Sequence, residues 1–344
     1  MKKIALLALL IGFTVALVSG WIIHRYLNSP VEVPDGGLLY DIRPGASLAA
    51  IGRELEAQGV IEHPEIFRWY ARLTDRASRV HAGRYRIDHG ITPEQLLQKF
   101  VDGRVELYAI TIVEGWTFPE LMNSMASHPA IDVTMDDEDW PGLLDEIGAE
   151  ATHPEGLFLP ETYRFPYGTA DTAVLRQAYE MLQSVLLQSW EQRAEGLPLA
   201  TPYEALVLAS IVEKETALPE ERERIAGVFV RRLQKGMRLQ TDPTVIYGVG
   251  ARFDGNLTRS HLQTDTPYNT YTRSGLPPTP IALPGRAAIA AALNPADGTE
   301  LYFVATGLGD GSHAFSDTVE QHNAAVREYL QRLRQSRAIA REPQ

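Results

Sequence analysis

From Ile4 to Ile23 the chain reads IALLALLIGFTVALVSGWII, without one charged residue. At about 1.5 Å of rise per residue, a helix of this length spans about 30 Å, the thickness of a bilayer's hydrocarbon core. The run therefore predicts one transmembrane helix over residues 4–23, preceded by a tail, residues 1–3, that carries Lys2 and Lys3. Trp21 and Tyr26 fall where aromatic side chains settle at a membrane surface, and the positive-inside rule keeps the N-terminus cytoplasmic. A cleaved signal peptide is the competing reading, with Val18 and Gly20 as its small-residue site. The run continues through Trp21, Ile22 and Ile23, longer than a signal core, which favours the anchor. On either reading the remainder is exported; on the favoured one this is a single-pass protein of the cell inner membrane with its bulk in the periplasm, where the cell has an outer membrane.

Composition narrows the chemistry. A chain of 344 residues makes about two domains, each able to bury a core. With no cysteine there is no disulfide framework, thiolate nucleophile, iron–sulfur cluster or cysteine zinc site. Once Lys2 and Lys3 are set apart, 30 basic residues face 44 acidic ones, a net −14. Such a surface repels polyanions, so nucleic acid is excluded as a partner. The nine His are scattered, no HExxH motif occurs, and the glycines at 307–311 precede a strand pattern rather than a helix. Neither a metal nor another cofactor is expected.

The fold class read from the pattern is α+β. Residues 24–37, with two prolines and a closing Asp-Gly-Gly, read as a linker. Residues 38–104 form a small α+β module: a strand near 39–43, a helix from about Ser47, a second over 64–73, a strand near 83–87, and a helix opened by the capping box Thr92-Pro93-Glu94-Gln95. This order suits glycan binding or protein docking, and equally a plain spacer. Residues 105–344 form a larger α+β domain. Its DDED run at 136–139 reads as a solvated loop rather than a metal site, and EGLFLPETYRF at 155–165 as either the wall of a sugar cleft or a loop packed on the core.

Thr201-Pro202-Tyr203-Glu204 reads as a further capping box and opens a helix that is apolar nearly all round and therefore central to its domain. Glu213 and Glu215 near its end lie about 200° apart on the helical wheel, so they face different surroundings. Leu208, Ile211, Val212 and Glu215 follow the i, i+3, i+4, i+7 stripe. A carboxyl group among apolar side chains holds its proton toward neutrality, as a general acid on a glycosidic oxygen must. The plain alternative for Glu215 is a helix-end carboxylate, exposed by fraying or paired with Lys214 or an arginine of the next helix. Farther on, Gln240, Thr241, Asp242, Tyr247, Asn269 and Tyr271 supply amide, hydroxyl, carboxylate and aromatic groups suited to sugar hydroxyl and N-acetyl groups. Asp242-Pro243 also reads as an N-cap with Pro at the first helical position.

IVEKET at 211–216, RLQKGMRLQTDPTVIYG at 232–248 and TPYNTYTRSGLPPTPI at 266–281, in this order, resemble the YceG-like family of endolytic murein transglycosylases. The resemblance runs over nearly the whole chain. It implies that 38–104 is LysM-like, that 105–344 is the catalytic domain, and that Glu215 is catalytic. EGLFLPETY also matches, with Glu161, a candidate substrate contact, standing where many members carry Asp. The implied reaction is non-hydrolytic cleavage of the β-1,4 bond between N-acetylmuramic acid and N-acetylglucosamine. It leaves 1,6-anhydromuramic ends and terminates nascent peptidoglycan strands, with the glycan as substrate and peptidoglycan synthases as partners. A hydrolytic muramidase with Asp242 as second carboxylate, and a non-catalytic murein-binding scaffold for synthases, are the alternatives.

Overall fold

The computed structural model describes residues 2–135 and 140–339; the acidic run 136–139 lies outside the described residues. Chain contacts divide it into two compact units, Met1–Tyr108 with Arg164–Thr169, and Ala109–Tyr163 with Ala170–Gln344. The architecture is mixed α+β, and among the described residues every sheet is a two-stranded ribbon.

In the first unit a helix runs unbroken from Lys2 to Asn28, and Lys3–Asn28 is long and apolar enough to cross a membrane. The expected linker at 24–37 is thus corrected in part. Its first residues continue the helix because nothing before Ser29-Pro30 interrupts the backbone pattern. Leu27 and Val31 are buried, and Val31 N donates to Ile91 O at 2.7 Å. The strands Leu38–Ile42 and Gly83–Ile87 pair antiparallel, with Tyr40 opposite Tyr85. Alternation turns Tyr40, Ile42, Tyr85 and Ile87 inward onto Ile51 and Leu55 of helix Leu48–Ala57 and Phe67 and Ala71 of helix Pro64–Leu73. Leu96, Leu97 and Phe100 of helix Pro93–Val101 close that core. Both halves of the Thr92–Gln95 capping box are made, at 3.3 and 3.1 Å. Each fully buried aliphatic or aromatic side chain contributes about 1.5–3 kcal/mol.

The second unit is built around helix Pro202–Glu215, in which every residue from Ala205 to Val212 is buried. It packs on helices Arg286–Leu293, Pro219–Gln234 and Asp171–Glu191. The Thr201 hydroxyl caps it by accepting from Glu204 N at 3.2 Å, but Glu204 reaches back to Ala200 N rather than to Thr201. The hairpin Tyr302–Ala305 with His313–Ser316 pairs Ala305 with His313, and helix Val319–Ile339 packs against it. Gly307, at φ +72°, lies in the connecting loop.

Gly156 has φ +79°, and a Cβ there would collide with Pro280. The Gly156→Ala variant is therefore expected to lose about 2 kcal/mol or more of stability, read as a lower denaturant midpoint.

Candidate active site

Glu215 ends its helix at the floor of a cavity of about 530 Å³, lined by polar and aromatic groups that include Arg232, Gln240, Asp242, Tyr271, Tyr302 and His313. Its half-buried carboxyl accepts a hydrogen bond from the Thr241 hydroxyl. Loss of hydration raises its pKa from 4.5 to about 7; the Thr241 donor opposes the rise, the Asp242 charge adds to it, and His313 and Arg232 oppose it. Near neutral pH this group can therefore both give and take a proton.

Glu213 points elsewhere, as the wheel requires. Its carboxylate accepts from Gly285 N at 3.0 Å and lies 3.7 Å from Arg222; burial raises its pKa as well. Lys214 donates to Gly115 O, so neither Lys214 nor Arg222 forms an ion pair with Glu215.

The segment 238–244 is tied down from below. Arg232, buried, donates to Leu301 O (2.6 Å), Leu239 O (2.6 Å) and Arg238 O (3.3 Å). Burial lowers its pKa without displacing so strong a base from its charged form. Gln240 takes the left-handed φ of +51°, unusual for a side-chain-bearing residue, and its N donates to Thr270 O at 3.2 Å. Thr241 N donates to the Thr270 hydroxyl at 3.1 Å, and the Thr244 hydroxyl to Thr241 O at 2.8 Å. This backbone aims the Thr241 hydroxyl at Glu215.

The next helix is Asp242–Val249, so Thr241, not Asp242, is its N-cap residue. Asp242 sits inside the first turn, where the macrodipole favours an acid, and accepts from Tyr271 OH at 2.6 Å. Burial and this carboxylate hold the Tyr271 proton well above the usual phenol range.

Three expected substrate contacts do not line this cavity. Asn269 is fully buried, and its amide donates to the carbonyls of His261, Leu262 and Thr264 at 2.7–3.2 Å, while its oxygen accepts from Tyr271 N at 2.9 Å. Its hydrogen-bonding capacity is spent on folding the loop. Tyr247 donates to Glu155 at 3.1 Å. Glu161 is exposed, 3.7 Å from Arg286, and does not line the cavity.

Sequence reasoning passed over Glu155 as a polar centre. It is fully buried and accepts from Phe118 N at 2.9 Å as well as from Tyr247, and burial raises its pKa to about 7. It joins the start of helix Phe118–Ala126 to helix Asp242–Val249. His313, one of the nine scattered His, faces the cavity with its Nδ1 held 2.7 Å from Glu221, which also accepts from His313 N at 2.8 Å. A carboxylate only accepts, so Nδ1 is the donor in this contact. Tyr302 stacks on His322 across the same cavity, with centroids 5.2 Å apart. Among the described residues no group of His, Asp and Glu side chains could hold a metal ion.

Fold and cavity together define an α+β protein with a carboxyl group placed for general acid–base chemistry. The chain belongs to the YceG-like family, whose pattern matches residues 40–328. An endolytic murein transglycosylase of Bacillus subtilis is 31% identical over 309 residues, 84% of each chain. A protein of the same description from Streptococcus pneumoniae is 27% identical over 95% of this chain and 65% of its own length. The crystal structure of a YceG-like protein from Listeria monocytogenes, 28% identical, superposes with a TM-score of 0.53 over 85% of this chain and 99% of the other.

Proposed function

We infer that this chain is an endolytic murein transglycosylase, anchored by its N-terminal helix, in which Glu215 is both acid and base. The observation that carries the reading is the Glu215 carboxyl, poised at about pH 7 on the floor of a cavity large enough for sugar rings. Relatives described as endolytic murein transglycosylases support it. Glu215 protonates the glycosidic oxygen and the bond to the muramoyl C1 breaks. The muramoyl 6-oxygen then closes on C1, and its proton passes to the Glu215 carboxylate. One proton leaves and one returns, no water is consumed, and one carboxyl suffices, whereas hydrolysis ordinarily employs two.

Burial favours the acid needed first and the Thr241 hydroxyl favours the carboxylate needed second. We assign sugar contacts to Gln240, Asp242 and Tyr271, which share the cavity with Glu215. Residues 38–104, in strand, helix, helix, strand order followed by a further helix, are read as a LysM-like module, with 105–344 as the catalytic domain and helix Pro202–Glu215 as its catalytic helix. The N-terminus is cytoplasmic and the catalytic domain periplasmic, beside the inner membrane where synthases deliver nascent strands.

Product analysis tests the reading. Mass spectrometry of purified murein digested by the full chain is expected to show 1,6-anhydromuramoyl ends. Reducing muramic ends would instead identify a muramidase with Asp242 as the second carboxylate. Complementation of a deletion strain by the Glu215→Gln protein would mark a scaffold. Thr241→Val removes a donor that favours ionised Glu215, so the alkaline limb of the pH–rate profile is expected to move upward by about 1–2 pH units.

A further inference from the structure

Helix Pro64–Leu73 has two apolar faces. Phe67 and Ala71 fill the core of the first unit and Tyr70 packs at its edge, its hydroxyl donating to Glu94 at 2.6 Å, while Ile66, Trp69 and Leu73, at i, i+3 and i+7, form a second stripe directed outward that meets the Tyr70 ring. Trp69 is 62% exposed and Leu73 71% exposed. A single exposed leucine needs no explanation, but this stripe is contiguous and makes a groove with Ile23 of the N-terminal helix. Glu65 is the charged residue on its wall, and it is paired with Arg68 at 2.5 Å.

We propose that this face rests in the outer interfacial layer of the same bilayer that the N-terminal helix crosses. The proposal depends on the reading of Lys3–Asn28 as a membrane anchor. Ile23 is the last residue of the uncharged run, so it marks the end of the hydrocarbon, and side chains that meet it from the side lie at that depth. Trp and Tyr are the residues that settle there. Arg25, over the Trp21 ring at 5.5 Å, lies on the helix where the headgroups begin.

The attachment is stiff. Leu27 is buried, the Tyr26 ring lies 5.4 Å from His63 at the start of helix Pro64–Leu73, and Val31 is hydrogen-bonded to Ile91. No hinge separates the anchor from the stripe. Arg76, over the Tyr70 ring at 5.7 Å, borders the stripe and can meet anionic headgroups, while Arg68 is engaged by Glu65. The module is therefore a second foot on the membrane, and this face of it is closed to glycan.

The absence of cysteine makes the test direct. Leu73→Cys and Val15→Cys, each in the full chain, are labelled with an environment-sensitive fluorophore and reconstituted into phosphatidylethanolamine–phosphatidylglycerol vesicles. Lipid spin-labelled near the glycerol end of its acyl chains is expected to quench the residue-73 label several-fold more than a water-soluble quencher does. Lipid spin-labelled deep in the chains is expected to quench the residue-15 label. A residue-73 label quenched only from water, with residue 15 quenched from lipid, overturns the docking face and leaves the anchor standing. Loss of lipid quenching at both positions overturns the anchor as well. A residue-73 label shielded from both quenchers only at high protein density assigns the face to a second copy of the chain and equally overturns the proposal.

Discussion

Glu215→Gln is expected to lower the release of anhydromuramoyl products by about 10³-fold or more, because in the proposed mechanism one carboxyl serves as the acid and then as the base. The amide is nearly isosteric and can still accept from Thr241, so the fold should persist. Wild-type activity requires the protonated group first and is expected to fall as pH rises through about 7. Undiminished turnover by Glu215→Gln, with loss in Glu213→Gln, would move the role to the other face of the helix.

The same variant is expected to be the more stable protein at alkaline pH. Glu215 binds its proton more tightly folded, with a pKa of about 7, than unfolded, near 4.5. The stabilisation from that proton is complete below about 4.5 and is lost as pH rises through about 7. Glutamine has no charge to bury at any pH. Unfolding free energies of the two proteins should coincide near pH 4 and diverge by on the order of 3 kcal/mol at pH 8–9, in favour of Glu215→Gln. Glu155 titrates in the same window but is present in both proteins, so the difference isolates Glu215.

Arg232→Met carries the second large effect. The guanidinium is buried and satisfies the carbonyls of Leu301, Leu239 and Arg238. Methionine fills much of the volume and leaves three acceptors without a donor, which costs about 3–5 kcal/mol. Arg232→Lys retains a charge but only a single ammonium that cannot reproduce the fork, so its denaturant midpoint should fall between those of wild type and Arg232→Met. At low denaturant the Met variant is also expected to lose activity, since the Leu239 anchor sets the path of Gln240 and Thr241 beneath Glu215. Equal stability of Met and wild type would show that these carbonyls find other donors.

The site was partly legible in the residues alone. Periodicity separated Glu215 from Glu213, and the structure places the two carboxyls against different neighbours, Thr241 and Gly285. Gln240, Asp242 and Tyr271 do line the cavity beside Glu215. Asn269 and Tyr247 looked alike in sequence but face inward, because residue type gives hydrogen-bonding capacity without saying what consumes it. Glu155 meets Tyr247, and His313 meets Glu221, each across 92 residues. Contacts of that span leave no local signature.

Local physics was therefore sufficient for the apolar N-terminal helix, the helix starts at Ser47, Thr92 and Thr201, and the stripe that carries Glu215, because each depends on neighbours within a turn or two. Packing alone decided that the end of the N-terminal helix is buried in the first unit, that Thr201 is not half of a reciprocal box, and that Thr241 rather than Asp242 begins its helix. It also decided how strongly Glu215 holds its proton. Burial, Thr241, Asp242, His313 and Arg232 act on one carboxyl from separate stretches of chain, and their balance exists only once the fold has brought them together.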